Sequence, residues 1–242
     1  MTENGRVRFG STVIKYSVVR SRRRKKTIEI TLDPREGVLV AAPADTPPKK
    51  IEDVVRRRAA WIVRSSTERV LHCRRKDFVS GETLPYLGRQ VRLFVECSDV
   101  RRVQVRFDHW SFRITVPSTL TGEARRSAIE AAMAAWYNNR ARDRIGDRVG
   151  RWAGILGQSG PKVLTRNQRQ RWGSCSPDGT LRFNWRIVMA EPALIDYVVV
   201  HEMLHLRIRD HSALFWTEIA RVMPDYRLRR AKLKEVGASL SM

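Results

Sequence analysis

Three histidines and one glutamate are the residues of this chain whose types and spacing could do chemistry. His201 and His205 stand four residues apart in the pattern H-E-x-x-H, and His211 follows six residues later, giving H-E-x-x-H-x5-H. Residues four apart on a helix lie on one face, one above the other. Both imidazoles can therefore bind one ion, and zinc is the usual ion for this spacing. Glu202, beside the first histidine, can reach a water held by that ion without binding the ion itself. With His211 as third ligand, a fourth position stays open for water, which is the arrangement of a catalytic zinc site. Zinc lowers the pKa of its water to about 7, and Glu202 is placed to accept the proton and pass it to the leaving group. Arg171, Asn184 and Tyr226 are candidates, by proximity in sequence, for holding the developing oxyanion.

The elements that carry these residues are constrained by them. Within one helix His211 would lie about 9 Å beyond His205 along the axis, too far to share an ion. The helix must therefore end between Leu206 and Asp210 and the chain must turn back. Ser212 can cap a following helix over residues 213–222. Glu218, in that helix, is the rival third ligand. H-E-x-x-H also arises by chance in chains where the histidines are structural. Here the stretch is strongly apolar through Ile195, Val198, Val199, Val200, Leu204 and Leu206, with Pro192 suited to its first turn. Two histidines and a glutamate in such a buried helix cost several kcal/mol unless paired or metal-bound. Three of the five histidines fall within eleven residues, which also favours a metal site.

Upstream, residues 6–19 alternate as a strand pair with a turn near Gly10-Ser11, and residues 27–32 and 38–42 read as a second pair. Between them stands the basic run RSRRRKK, residues 20–26. It is either a phosphate contact or a charged hairpin edge. Residues 49–70 turn helical through Ile51, Val54, Val55, Ala59, Ile62 and Val63. Strands are expected again at Phe78-Val79, Tyr86-Leu87 and residues 91–95, 103–107 and 112–116, with His109 in a turn. His72 has no partner pattern. A composition shift at residues 117–122 separates a β-rich part with one helix, residues 1–118, from residues 119–242. The second part opens on a long helix, residues 123–152. Ala128, Ile129, Ala132, Met133, Trp136, Ile145 and Val149 form its apolar side, and its other face is rich in arginine. Residues 162–165, 172–175 and 181–185 read as strands before the histidine helix, and residues 227–234 as a basic tail helix.

The chain has 242 residues, enough for a full core, and a net charge of +22 from 47 Lys+Arg against 25 Asp+Glu. That charge favours a polyanionic partner, non-specific nucleic acid or a phosphate compound, unless it is spread over solvated faces. No apolar run approaches a transmembrane length, and the first residues have no signal-peptide core. Cys73, Cys97 and Cys175 are too few and scattered for a disulfide frame, so a reducing cytoplasm is the default location.

The segment RQRWGSCSPDGTLRFNWRIVMAEPALIDYVVVHEMLHLRIRDHSALFW resembles the signature of the YgjP-like family, also described as WLM or SprT-related, of bacterial zinc metallohydrolases. Earlier features fit as well: the R-R-R-K-K run before an I-x-I strand, a helix ending in W-I, and S-G-E-T-L-P-Y-L-G-R. The resemblance thus covers nearly the whole chain. It implies an α+β, zincin-like metallopeptidase fold, with a small sheet on the metal helix and a β-rich N-terminal half. It implies Zn2+ held by His201, His205 and His211, with Glu202 as base. The histidine spacing equals the metzincin pattern, but Ile208 stands where metzincins have glycine. Since Ile resists positive φ, the turn to His211 must be made differently, around Arg209-Asp210. Three classes follow: a zinc metallopeptidase, with relatives that would suggest work near DNA; a zinc hydrolase of nucleotides or other phosphate compounds; and a nucleic-acid-binding protein with structural zinc. Three histidines with a placed glutamate argue against the last, because a structural site usually closes with a fourth ligand. In zincins a strand beside the metal helix takes up extended peptide at its edge, and residues 172–175 or 181–185 are the candidates.

Overall fold

A computed structural model describes residues 2–22, 24–25, 27–33, 37–64, 76–168 and 171–240, and the chain divides into two units, Met1–Arg74 and Arg75–Met242. His72, Cys73, Arg23, Lys26, the end of the helix expected to reach residue 70, and Arg169-Gln170 lie outside the described residues.

The first unit is a four-stranded sheet with a helix. Strands β1 (Thr2–Phe9), β2 (Thr12–Ser21), β3 (Glu29–Asp33) and β4 (Gly37–Pro43) lie in the order β1-β2-β4-β3, with β2 and β4 parallel. Alternation along β2 puts Ile14, Tyr16 and Val18 inward. Helix α1 (Pro48–Arg57) starts on a proline and buries Ile51 and Val55 in the same core.

The second unit carries the histidines. Strands β5 (Thr83–Tyr86), β6 (Arg89–Ser98), β7 (Gln104–Phe107) and β8 (Ser111–Pro117) form a sheet in the order β5-β6-β8-β7. The strand expected at Phe78-Val79 is absent: these residues are irregular, with Phe78 buried at a φ of 54°. Helix α2 (Gly122–Leu156) buries Ile129, Met133, Tyr137, Ala141, Ile145, Val149 and Ala153, mostly at the four-residue interval that makes one stripe. The stripe takes in Tyr137 rather than Trp136, which stays half-buried with Arg140 over its ring. Tyr137 donates to the Pro85 carbonyl at 2.7 Å, satisfying the one polar atom that this ring brings into the core.

A second, three-stranded sheet has the order β10-β11-β9, from β9 (Val163–Arg166), β10 (Gly173–Cys175) and β11 (Leu181–Asn184). Trp185 leaves β11 for a 3-10 turn, Trp185–Met189, whose backbone accepts the hairpin between β5 and β6: Leu87 N–H donates to Val188 O and Gly88 N–H to Met189 O. Gly88 has a φ of 78°, and a Cβ there would come within 2.4 Å of Glu191 Cγ, so glycine is required twice over. Helix α3 (Pro192–Leu204) follows directly, with Pro192 in its first turn. Its buried residues run all round it, including Leu194, Ile195, Val198, Val199, Val200 and Met203, as a helix central to its unit requires. Each such side chain contributes about 1.5–3 kcal/mol by leaving water. Helices α4 (Ala213–Val222) and α5 (Tyr226–Val236) close the unit. Among the described residues no helix is long and apolar enough to cross a membrane.

Candidate metal centre

His201 and His205 stand at the end of α3, which stops at Leu204, slightly before the expected break. A tight turn then runs through Arg207, closed by Ile208 N–H donating to Leu204 O at 2.9 Å. None of residues 205–211 has a positive φ, so the return to His211 needs no glycine and tolerates Ile208. Two contacts fix this return. The Ile208 carbonyl lies 2.9 Å from His205 Nδ1. Arg209 reaches across to the β10–β11 turn, donating to Ser176 O at 3.1 Å and Pro177 O at 3.2 Å. Ser212 occupies the cap position of α4, but its hydroxyl makes no capping bond; its N–H is instead received by Asp210 Oδ1 at 3.2 Å.

The result is convergence of three imidazole nitrogens. His211 Nε2 lies 3.0 Å from His201 Nε2 and 3.2 Å from His205 Nε2, and one ligand atom from each ring falls within 4.8 Å of the others. A carbonyl can only accept, so His205 Nδ1 carries its proton and Nε2 offers a lone pair to the centre. Phe215, fully buried, packs beneath all three rings at centroid distances of 5.0, 4.7 and 4.9 Å. Trp216 stacks on His211 at 5.6 Å, and Tyr226 stacks on Trp216 at 5.6 Å. Burial, then the neighbouring His205, His211 and Arg230 charges, push His201 down to about 3. Desolvation, His205 and Arg230 likewise lower His211. These rings are held neutral, the form that binds metal. Three clustered imidazoles are a donor set suited to a borderline divalent ion. The residues present thus fit a metal ion.

Glu202 is 6% exposed, and burial pushes its carboxyl up to about 7 against the pull of the Arg171 charge. Its carboxyl lies against the backbone of β10: a Cβ on Gly173 would come within 2.5 Å of Glu202 Cγ and 2.7 Å of Oε1. Gly173 is a site residue that spacing arguments missed. The signal was present, since a glycine inside a strand pattern marks close approach of another group.

The other expected residues sort as follows. Glu218 pairs with Arg221 at 3.2 Å and stands outside the histidine cluster. Asn184 is buried and structural, donating to Gln168 O at 2.6 Å and accepting from Arg186 N–H at 3.0 Å. The Tyr226 phenol oxygen accepts from Arg227 Nε at 3.1 Å. Arg171 is exposed and acts on Glu202 through its charge. Cys175 is half-buried with its thiol pushed up by burial, unlike a nucleophile. His109 sits in the β7–β8 turn at a φ of 72°. Several arginines of the α2 face are in ion pairs: Arg126 with Glu123 and Glu130, and Arg148 and Arg151 with Asp196. Arg24 of the basic run pairs with Glu29.

A buried carboxyl beside three converging imidazoles, on a helix flanked by a small sheet, defines a metallohydrolase. The profile of the YgjP-like family, metallopeptidase domain, matches residues 26–236, and the chain belongs to that family. Among solved structures, the crystal structure of the metallopeptidase zymogen of Methanocaldococcus jannaschii jannalysin is 22% identical, with a TM-score of 0.35, covering 38% of this chain and 94% of that one. No curated protein matches the chain significantly.

Proposed function

We propose that this chain is a zincin-like, zinc-dependent metallopeptidase in which His201, His205 and His211 hold the ion and Glu202 is the general base. The observation that carries this reading is the pairing of the three-nitrogen cluster with a buried carboxyl on the next residue of the same helix. Zinc in such a site supplies a water of pKa about 7 and polarises the carbonyl under attack.

The chain's own residues do the rest. Glu202, with a pKa of about 7, is matched to take a proton from the attacking water and return it to the leaving amine near neutral pH. Gly173 gives that carboxyl its place. Of the two strands considered for peptide uptake, β11 has partners on both sides, whereas β10 is the edge of its sheet. An extended substrate can add its backbone hydrogen bonds there, with its scissile bond beside Glu202. Phe215 and the stacked Trp216 keep the imidazoles from turning away.

The test is hydrolysis of a mixed peptide library by zinc-loaded protein, followed by mass spectrometry, with Glu202→Gln alongside. Cleavage by the wild type and a loss of about a hundredfold or more in Glu202→Gln, at unchanged zinc content, is the expected result. Equal cleavage by both proteins removes Glu202 from the mechanism, and no cleavage of any peptide removes the peptidase reading.

A further inference from the structure

The basic residues of α5 fall into two sets. Arg229 pairs with Asp225 at 2.8 Å and donates to the Ala193 carbonyl at 3.0 Å, and Lys232 pairs with Glu191 at 2.7 Å. These tie the helix to the start of α3. Arg227, Arg230 and Lys234 lie along another strip, at the three- and four-residue spacing of one helix face. With Trp216, Tyr226 and Ala231 they line a groove of about 700 Å3. Among the described residues no ion pair joins any of these three to a carboxylate, in contrast to Arg229 and Lys232.

This groove adjoins the histidine cluster. The Arg230 guanidinium lies 4.8 Å from the Trp216 ring centre, and Trp216 is the ring stacked on His211. The Arg230 side chain is exposed, where a ligand can reach it. A guanidinium fork that lies over an aromatic ring and has, among the described residues, no carboxylate of its own suits a planar carboxylate.

We propose that the groove of Arg227, Arg230 and Lys234 receives a carboxylate of the substrate, so that the preferred peptides carry an acidic side chain or a free C-terminus close to the cleaved bond. The proposal rests on the peptidase reading above, and its test reads binding rather than turnover, so the two can fail separately.

Zinc-loaded full chain is titrated with N-acetyl-Gly-Asp-amide, N-acetyl-Gly-Asn-amide, N-acetyl-Gly-Gly with a free carboxylate, and inorganic phosphate, followed by ligand-observed NMR. The Asp probe should bind about tenfold or more tightly than its neutral Asn counterpart. Arg230→Gln should abolish that difference. Lys232→Gln, on the paired side of the same helix, should keep it, which separates loss of the subsite from loss of the helix. Tighter binding of the Asp probe than of the free C-terminus assigns the carboxylate to a side chain, and the reverse assigns it to a chain end; both support the subsite. Equal binding of the Asp and Asn probes by the wild type overturns it. So does phosphate binding more tightly than both carboxylate probes and losing that advantage in Arg230→Gln, which would make the groove a phosphate site. Absence of peptide cleavage alongside Arg230-dependent Asp binding would overturn the peptidase reading and leave the subsite standing.

Discussion

Gly173 and Glu202 share one space: the missing side chain of the first is filled by the carboxyl of the second, with an added Cβ only 2.5 Å from Glu202 Cγ. Gly173 lies in β10 without a positive φ, so the backbone itself accepts alanine. Gly173→Ala must therefore displace the carboxyl or push the strand edge away. Peptide hydrolysis should fall by about a hundredfold or more, the scale of a misplaced general base. Zinc content, measured on the same samples, should stay at the wild-type level. A fully active Gly173→Ala protein would show that the carboxyl has room elsewhere.

His205→Ala and His211→Ala should each weaken zinc by about two orders of magnitude or more in a chelator-competition titration, because each removes one of three ligands. Glu218→Ala should leave the titration nearly unchanged, since that carboxylate is turned to Arg221. The opposite ranking would move the third ligand to Glu218.

Burial raises Glu202 from an ordinary value of 4.5 to about 7. Below 4.5 the carboxyl is protonated in both the folded and unfolded chain. Between the two values only the folded chain holds the proton, so its contribution to stability is lost as the pH rises through about 7. Metal-free wild type should thus lose about 3 kcal/mol relative to Glu202→Gln between pH 4.5 and pH 8. Urea denaturation at a series of pH values measures this gap, and a gap that does not change with pH contradicts the burial of an ionisable group there.

Arg209 holds the segment that returns to His211 by two bonds to the β10–β11 turn. Arg209→Ala should cost about tenfold in zinc affinity, the effect expected when a ligand loses its outer support. Arg209→Lys should recover only part of it, since an ammonium lacks the fork that spans two carbonyls. Unchanged affinity in both variants would mean that Phe215 and Trp216 suffice to orient the ring.

Local features were legible in the sequence. Proline in the first turn marked the start of α3, and the span of α4 followed from its apolar spacing. Axial rise showed that a straight helix cannot bring His211 to the other two histidines, so that a ligand there requires the helix to end first, with Glu218 left as the rival. What sequence did not reveal depends on partners far along the chain. Strand order decides that β10 rather than β11 has a free edge, and that order is set by pairing with β9, which no local pattern states. Tyr137 and Trp136 are neighbours on α2; Tyr137 is the one in line with the buried stripe, and the distant Pro85 carbonyl receives its hydroxyl. Arg230 is one of several basic residues in α5, and only folding could assign it the Trp216 ring and, among the described residues, no carboxylate.

The hairpin seated on Val188 and Met189 gives this unit a non-local fold. Its bonds from Leu87 and Gly88 join backbone about a hundred residues apart in the chain, at the threshold of the helix that carries the histidines. Closing so long a loop has an entropy cost that must be met before the contact stabilises anything. The final seat of the histidine helix thus depends on strands far away in the chain, the kind of contact that slows folding. The metal-binding segment is not a portable cassette: cut away from residues 83–117, it would keep its ligands in sequence and lose the hairpin that seats the turn leading into their helix.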